Sequence, residues 1–157
     1  GEGRNAVYAA GLGWKVDAFD QSTVGAAKAG RLAGDLGVQI NYKACELEEF
    51  PFEEGMYDAV GLFFFHAPTP LRKILHHGAI KSLKPGGKLI LEAFHTSQLG
   101  RDSGGPPSLE LLFNKELLLE DFSSLDIELI GEVEENLDEG LFHSGPAKLI
   151  RFRGIKI

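Results

Sequence analysis

The sequence opens on a glycine-rich turn, GEGRNA over residues 1–6, that leads into a short helical pattern. An apolar run over residues 14–19 follows and stops at Asp20. Glycines without Cβ atoms let a ligand approach the backbone, a helix N-terminus presents unpaired N–H groups, and an acid about 20 residues further on can accept two ribose hydroxyls. The spacing therefore predicts half of a nucleotide-cofactor site at Gly1, Gly3 and Asp20.

In α/β nucleotide-binding folds such a turn follows a central parallel strand, whereas this sequence begins at the glycine itself. We therefore expect a chain that is truncated at its N-terminus and lacks the first strand. Downstream, apolar runs separated by amphipathic patterns predict strands over residues 38–43, 57–65 and 88–94. Alternating helices and strands imply right-handed crossovers and a parallel sheet covered by helices, with the run over residues 57–65 as an interior strand.

The second half of the sequence changes character. Residues 95–108 form a glycine- and proline-rich loop that is too long for a simple connector, and loops of this length are usually functional or disordered. Residues 109–119 predict one more helix. Residues 127–133 and 147–152 predict a strand pair with an extended hairpin.

The composition limits the classes of molecule that this protein can bind. A net charge of −7 over 157 residues argues against nucleic acid, because that affinity comes mostly from Lys and Arg neutralising phosphates. The single cysteine, Cys45, excludes an internal disulfide framework and a thiolate-rich metal site, and it fits a reducing cytoplasm. The longest apolar stretch, residues 59–65, is far shorter than the roughly 20 residues that span a bilayer.

The glycine turn alone leaves two cofactors open, because its spacing with Asp20 satisfies the patterns for both NAD and S-adenosylmethionine. No tyrosine has the Tyr-x-x-x-Lys spacing that many dehydrogenases use for hydride transfer. The sequence LKPGG at residues 83–87, before a strand, and the terminal strand pair resemble those of class I methyltransferases, and this resemblance favours S-adenosylmethionine.

Six segments carry a family resemblance: GEGRN (1–5), AFDQS (18–22), YDAV (57–60), LKPGGKLILE (83–92), GGP (104–106) and EGxxHxG (139–145). Together they resemble a small bacterial subfamily of class I S-adenosylmethionine-dependent methyltransferases, related to the tellurite-resistance type. The resemblance implies a Rossmann-like three-layer α/β/α methyltransferase fold, with a mostly parallel sheet and an antiparallel C-terminal strand. It further implies a single domain over residues 1–157.

The expected activity is methyl transfer from S-adenosylmethionine to a small-molecule acceptor, by a cytoplasmic monomer or homodimer that needs neither nucleic acid nor membrane. A lid formed by the Gly-Gly-Pro loop and the hairpin would exclude water. Two alternatives stay open: an NAD(P)-binding Rossmann oxidoreductase, and a non-catalytic module that binds the cofactor.

The expected cofactor-binding residues are Gly1, Gly3, Asp20, Gln21, Glu46, Leu47 and Phe65. Glu46 and Leu47 stand where such enzymes often have an Asp-Leu pair against the adenine. The competing interpretations are an ordinary tight turn for the glycines, a helix cap for Asp20, and an exposed acidic loop for Glu46.

Two histidines are candidate general bases, since the unperturbed pKa of imidazole lies near neutral pH. His66 follows the apolar run of residues 57–65, at the strand end where open α/β sheets bind ligands, and His143 lies in the terminal hairpin. A structural role is the alternative for both. His76 and His77 are expected on the surface, and no histidines and carboxylates show metal-ligand spacing, so no metal is predicted. Acidic residues over 132–139 predict a solvated face or a lip that attracts cations.

Overall fold

In the computed structural model, which describes residues 1–138 and 144–157, the elements divide between two units, Gly1–Pro51 and Phe52–Ile157. The first unit contains α1 (Arg4–Gly11), β1 (Asp17–Asp20), α2 (Thr23–Asp35) and β2 (Asn41–Ala44). The second contains β3 (Tyr57–Phe63), α3 (Thr69–Ser82), β4 (Leu83–Phe94), α4 (Lys115–Asp121), β5 (Leu125–Asp138) and β6 (Ser144–Lys156). Short 3₁₀ turns lie at Leu47–Glu49, Thr96–Gln98 and Leu109–Leu111.

The first unit follows the predicted helix–strand alternation. Its strands β1 and β2 pair in parallel, with Ala18 opposite Tyr42. Ser22 precedes α2 and caps its N-terminus, since its Oγ accepts the Gly25 N–H at 2.9 Å. Buried Ala29 supplies a small side chain on α2, which lets neighbouring backbone approach closely.

The second unit has a four-stranded sheet in the order β3-β4-β6-β5. β3 and β4 are parallel, whereas β6 lies between β4 and β5 and runs antiparallel to both. The predicted antiparallel C-terminal strand is thereby confirmed. The core of this sheet comes from alternate residues of paired strands, with buried Leu91 opposite Phe152 and buried Ala93 opposite Ile150.

Two expectations from the sequence differ from the structure. β3 is the end strand of its sheet and only Leu62 is buried along it, so this sheet does not bury the run over residues 57–65 on both faces. The predicted helix over residues 109–119 is split, and α4 begins only after Asn114, whose Oδ1 accepts the Leu117 N–H at 2.9 Å. The interruption arises because Phe113 pairs with the chain beside β4, donating to Phe94 O at 3.0 Å and accepting from the Thr96 N–H at 2.9 Å.

A buried polar cluster joins α3 to α4. Asp121 Oδ2 accepts hydrogen bonds from Arg72 Nε at 2.9 Å and from His76 Nδ1 at 2.8 Å. The expected surface position of His76 is therefore wrong, since its exposed fraction is 2%, whereas His77 is exposed as expected. Helix position alone gave no sign that α4 would cover this side of α3.

The environment of His76 keeps its imidazole neutral. Burial, the largest cause, and the Arg72 charge together lower the pKa of His76 to about 4, although Asp121 acts in the opposite direction. The neutral ring then donates its Nδ1–H to the Asp121 carboxylate. The Phe122 ring, 4.5 Å from the imidazole between centroids, contributes to this desolvation.

No helix within residues 1–138 and 144–157 is both long enough and apolar enough to cross a membrane.

His76 makes stability depend on pH with a defined sign. The folded state binds fewer protons at this site than the unfolded chain, so the free energy of unfolding falls as the pH drops from about 6.5 to about 4. We expect the titration of His76 to lower the free energy of unfolding by at most about 3 kcal/mol over this range. His76→Gln should abolish this pH dependence. Urea unfolding of wild type and variant across this pH range measures the difference between the two slopes.

The exposed neighbour supplies the matched control, because His77→Gln makes the same chemical change one residue away. Its pH dependence should follow that of the wild type. Parallel pH profiles for wild type and His76→Gln would contradict the neutral, buried imidazole.

Candidate functional site

The glycine turn of the first unit is shaped by packing as well as by its own flexibility. Gly3 has φ +80°, and a Cβ at this position would lie 2.4 Å from the Cβ of Ala29 on α2. Gly25 is equally constrained, since its Cβ would lie 2.7 Å from Gly1 O. A Cβ on Gly1, by contrast, would meet nothing within 4 Å. Gly3 is therefore required by the backbone and by α2, and Gly1 is the glycine that faces open space.

Asp20 ties this turn to the end of β1. Its Oδ1 accepts the Ser22 N–H at 2.9 Å, and its Oδ2 contacts the Gly1 nitrogen. Ser22 rather than Asp20 caps α2, so the helix-cap alternative does not describe this carboxylate. The Asp20 side chain keeps an exposed fraction of 32%, which leaves it accessible to a polar ligand.

Tyr42 is part of the same cluster, although the sequence indicated only its place in a strand. Its hydroxyl donates to Gly1 O at 2.5 Å. Burial, reinforced by the negative charge of Asp20, raises the pKa of Tyr42, so the phenol stays protonated and available as a donor. The parallel register brings it there, because Tyr42 lies opposite Ala18, two residues before Asp20.

The predicted adenine-binding residues follow β2 at the same sheet edge as Asp20. The Cys45 N–H donates to Asp20 O at 3.1 Å, which continues the ladder to this edge. Beyond it Glu46 is exposed, whereas Leu47 is buried, with an exposed fraction of 7%. Gln21 is exposed immediately after Asp20. The carboxyl ends of the two strands thus gather Asp20, Gln21 and Glu46, where parallel sheets bind their ligands.

In the second unit, the chain turns sharply where β3 ends. Phe64 has φ +52°, an arrangement that costs a non-glycine residue roughly 1–2 kcal/mol. It is held by its N–H bond to Glu92 O at 2.8 Å and by its ring, 5.0 Å from that of Phe94. Strained backbone of this kind concentrates at functional sites, and it directly precedes Phe65 and His66.

Both ring nitrogens of His66 are engaged. Nδ1 lies 2.7 Å from Leu111 O, and Nε2 accepts the Phe94 N–H at 3.3 Å. A carbonyl can only accept and an amide can only donate, so the ring is neutral with its proton on Nδ1. This arrangement favours the structural alternative for His66, which links the segment before α4 to the end of β4. His143 lies outside the described residues.

The sequence reasoning missed a histidine at the end of β4. His95 directly follows this strand, is 9% exposed, and accepts the Ser97 N–H on Nδ1 at 3.2 Å. Its Nε2 lies 3.4 Å from Glu132 Oε1. The signal was present in the sequence, because His95 follows residues 88–94 just as His66 follows the run over 57–65.

Two acids of the acidic stretch on β5 pair with neighbouring cations. Glu134 contacts Lys148 and lies 3.4 Å from Arg101, and these partners, Lys148 first, lower the pKa of Glu134. Glu135 pairs with Arg151 at 3.1 Å. These pairs fit a solvated face better than a lip that attracts cations. Among the residues that the structure describes, no three His, Cys, Asp or Glu side chains come together to hold a metal ion.

The comparison with protein families identifies the class. The model described as "Methyltransferase domain" matches residues 1–87, which include the glycine turn, Asp20 and the Pro-Gly-Gly segment. The chain belongs to this family. No curated protein matches the sequence closely enough to count as a relative.

Solved structures share the fold. TehB from Haemophilus influenzae is 17% identical with a TM-score of 0.79, covering 100% of this chain and 55% of TehB. A SAM-dependent methyltransferase from Methanosarcina mazei is 16% identical with a TM-score of 0.73, covering 100% of this chain and 89% of that one. The chain thus spans about half of TehB, and its predicted Rossmann-like methyltransferase fold is confirmed.

A third structure was solved with ligands. It is the 1,6-didemethyltoxoflavin-N1-methyltransferase of Burkholderia thailandensis, with bound 1,6-didemethyltoxoflavin and S-adenosylhomocysteine. It is 17% identical with a TM-score of 0.73, and the match covers 99% of this chain and 67% of that one.

The different surroundings of the two glycines can be tested by one substitution at each. Gly3→Ala should lower the free energy of unfolding by about 2–4 kcal/mol, because the new Cβ collides with Ala29 and the residue keeps a positive φ. Gly1→Ala should change it by less than about 0.5 kcal/mol. Denaturant unfolding of both variants measures these values, and equal losses would contradict the assigned packing role of Gly3.

Proposed function

We propose that this chain is a methyltransferase that binds S-adenosylmethionine through its first unit and methylates a small-molecule acceptor. The observation that carries the proposal is the partly exposed Asp20 carboxylate at the end of a parallel strand, beside open space at Gly1. Membership of the methyltransferase domain family supports the choice of cofactor over NAD.

The residues of the first unit fit such a cofactor. Asp20 would accept the two ribose hydroxyls in charge-assisted hydrogen bonds. The open side of Gly1 would admit the amino-acid part, while Tyr42 holds the Gly1 carbonyl in place. Glu46, exposed on the same edge, would accept from the adenine amino group, and the Leu47 backbone would complete that contact.

The cofactor would supply a methyl group already activated on a sulfonium: the acceptor's lone pair forms the new bond to carbon as the carbon–sulfur bond breaks, leaving S-adenosylhomocysteine. The protein's contribution is then to align the acceptor and to exclude water. A general base is required only when the acceptor must lose a proton.

A small acceptor agrees with the electrostatics of the chain. Its net charge of −7 disfavours a nucleic-acid substrate, and Lys148, Arg101 and Arg151 are paired with the acids of β5. The toxoflavin methyltransferase, which shares the fold, was solved with a small heterocycle.

For base catalysis we favour His143 over His66. Both nitrogens of His66 already have partners, and a proton on Nε2 would break its bond to the Phe94 N–H. The proposal for His143 rests on the sequence alone, in the segment EGxxHxG.

Removal of the Asp20 carboxylate tests the cofactor site. Asp20→Ala should weaken binding of S-adenosylhomocysteine by roughly 1.5–3 kcal/mol, the usual worth of hydrogen bonds to a charged group. Asp17→Ala is the matched control, since it removes the same charge from the opposite end of β1 and should leave affinity nearly unchanged. Isothermal titration of both variants, with melting temperatures of the unliganded proteins, measures the effect.

The same titrations separate the alternatives. Equal affinity of Asp20→Ala and wild type would remove the ribose-binding role, and binding of NAD in place of S-adenosylhomocysteine would favour the oxidoreductase. Cofactor binding without methyl transfer to any thiol, hydroxyl or amine probe would favour the non-catalytic module.

The histidines are distinguished by turnover rather than by affinity. On an acceptor that must lose a proton, His143→Gln should lower the single-turnover rate by about 10² to 10⁴, whereas His66→Gln should act mainly on stability. Rates and their pH profiles for both variants check this. A rate loss confined to His66→Gln, in a variant that melts at the wild-type temperature, would reverse the assignment.

A further inference from the structure

Gln98 is a buried amide at the root of the Gly-Gly-Pro loop, which we define as residues 99–107. Its exposed fraction is 2%, and its polar atoms are all engaged. Nε2 donates to Ser103 Oγ at 2.8 Å and to Gly104 O at 3.0 Å, while Oε1 accepts the Lys148 N–H at 2.7 Å. One side chain therefore connects the loop to β6.

The partners of Gln98 fix which way its amide points. The Lys148 N–H can only donate, so it must face Oε1, and the Gly104 carbonyl can only accept, so it must face Nε2. Ser103 completes the chain by donating its hydroxyl to Pro146 O at 2.7 Å. Ser103 is itself only 5% exposed.

These side chains continue the pairing of β6 beyond the end of β4. The β4–β6 ladder stops at Phe94 opposite Leu149. Past that point the His95 N–H donates to Lys148 O at 3.0 Å. Gln98 accepts the Lys148 N–H, and Ser103 donates to Pro146 O. Buried backbone groups need such partners, so detaching the loop would leave the Lys148 N–H and Pro146 O without theirs.

The Gly-Gly-Pro loop also packs against the side chains of Phe94 and Gln98. A Cβ on Gly105, where φ is +96°, would lie 3.2 Å from the Phe94 ring and 3.3 Å from Gln98 Cγ. Phe94 belongs to a core cluster with Leu112 and Leu149. Opening the loop would therefore expose apolar surface as well as break the hydrogen bonds.

We propose that Gln98 is a positioning residue that clamps the Gly-Gly-Pro loop to the start of β6, so that the loop is a preformed wall on the acceptor side rather than a lid that swings independently. The clamp follows from the contacts of the second unit. The loop follows the carboxyl end of β4. The assignment of the loop to the acceptor side rests on the proposed function.

The test replaces the amide by its isosteric acid. Gln98→Glu keeps an acceptor for the Lys148 N–H but loses both donations into the loop. Gln39→Glu, at an exposed position of the first unit, makes the same change of charge elsewhere. Amide hydrogen exchange at Arg101, within the loop, should quicken at least about 10-fold in Gln98→Glu and not in Gln39→Glu, whereas the Lys148 N–H, which keeps its acceptor, should change less.

Two functional readouts distinguish positioning from a general loss of structure. Affinity for S-adenosylhomocysteine should stay within about twofold of wild type. The KM should rise at least about fivefold, with kcat changed less, for any of 2-mercaptoethanol, phenol and benzylamine that the wild type methylates. If Gln98→Glu does not fold, Ser103→Ala, which removes two of the four bonds, takes its place.

Unchanged exchange at Arg101 in Gln98→Glu would overturn the clamp. Faster exchange in Gln98→Glu together with an unchanged KM for the acceptor would contradict the proposal that the loop forms a wall on the acceptor side. If the wild type methylates none of the probes, the proposed small-molecule function is contradicted for these acceptors, and so is the assignment of the loop to the acceptor side. Hydrogen exchange still tests the clamp in that case.

Discussion

The contact that organises the first unit is the close approach of the glycine turn to α2. It requires that Gly3 and Gly25 have no side chains, because a Cβ on either would collide with Ala29 or with the Gly1 carbonyl. Only with the turn in this position does Gly1 reach both Asp20 and Tyr42. The candidate cofactor site is thus a consequence of helix packing as much as of the residues that would touch a ligand.

The second unit depends on a different constraint, the insertion of β6 between β4 and β5. β6 extends past the end of β4, and on the edge that faces away from β5 its backbone there is satisfied by His95, Gln98 and Ser103 rather than by another strand. This arrangement holds the long loop against the sheet. The interrupted helix before α4 has a separate cause, because Phe113 pairs with Phe94 and Thr96 along the other edge of the chain at the end of β4.

Buried polar groups divide the histidines by role. Buried His76 bonds to a carboxylate on α4, and half-buried His66 bonds to two backbone groups. Buried polar groups normally find such partners, because leaving one unsatisfied costs a substantial fraction of the stability of a domain. Chain position suggested a reactive role for His66 and a solvated one for His76, and in each case packing points to a structural role.

The sequence by itself determined the alternation of helices and strands, the terminal strand pair and the placement of Asp20 at a strand end, because these depend on local periodicity and on turn residues close together in the chain. Its resemblance to class I methyltransferases implied the fold class. Only the tertiary structure decided that Gly3 serves packing, that Tyr42 binds the turn, and that Gln98 joins the loop to β6. Each of these contacts links residues 26 to 50 positions apart, as Gly3–Ala29, Gly1–Tyr42 and Gln98–Lys148 do. Hydrophobic periodicity carries no information on such pairs, since they depend on register and on how closely two backbones approach.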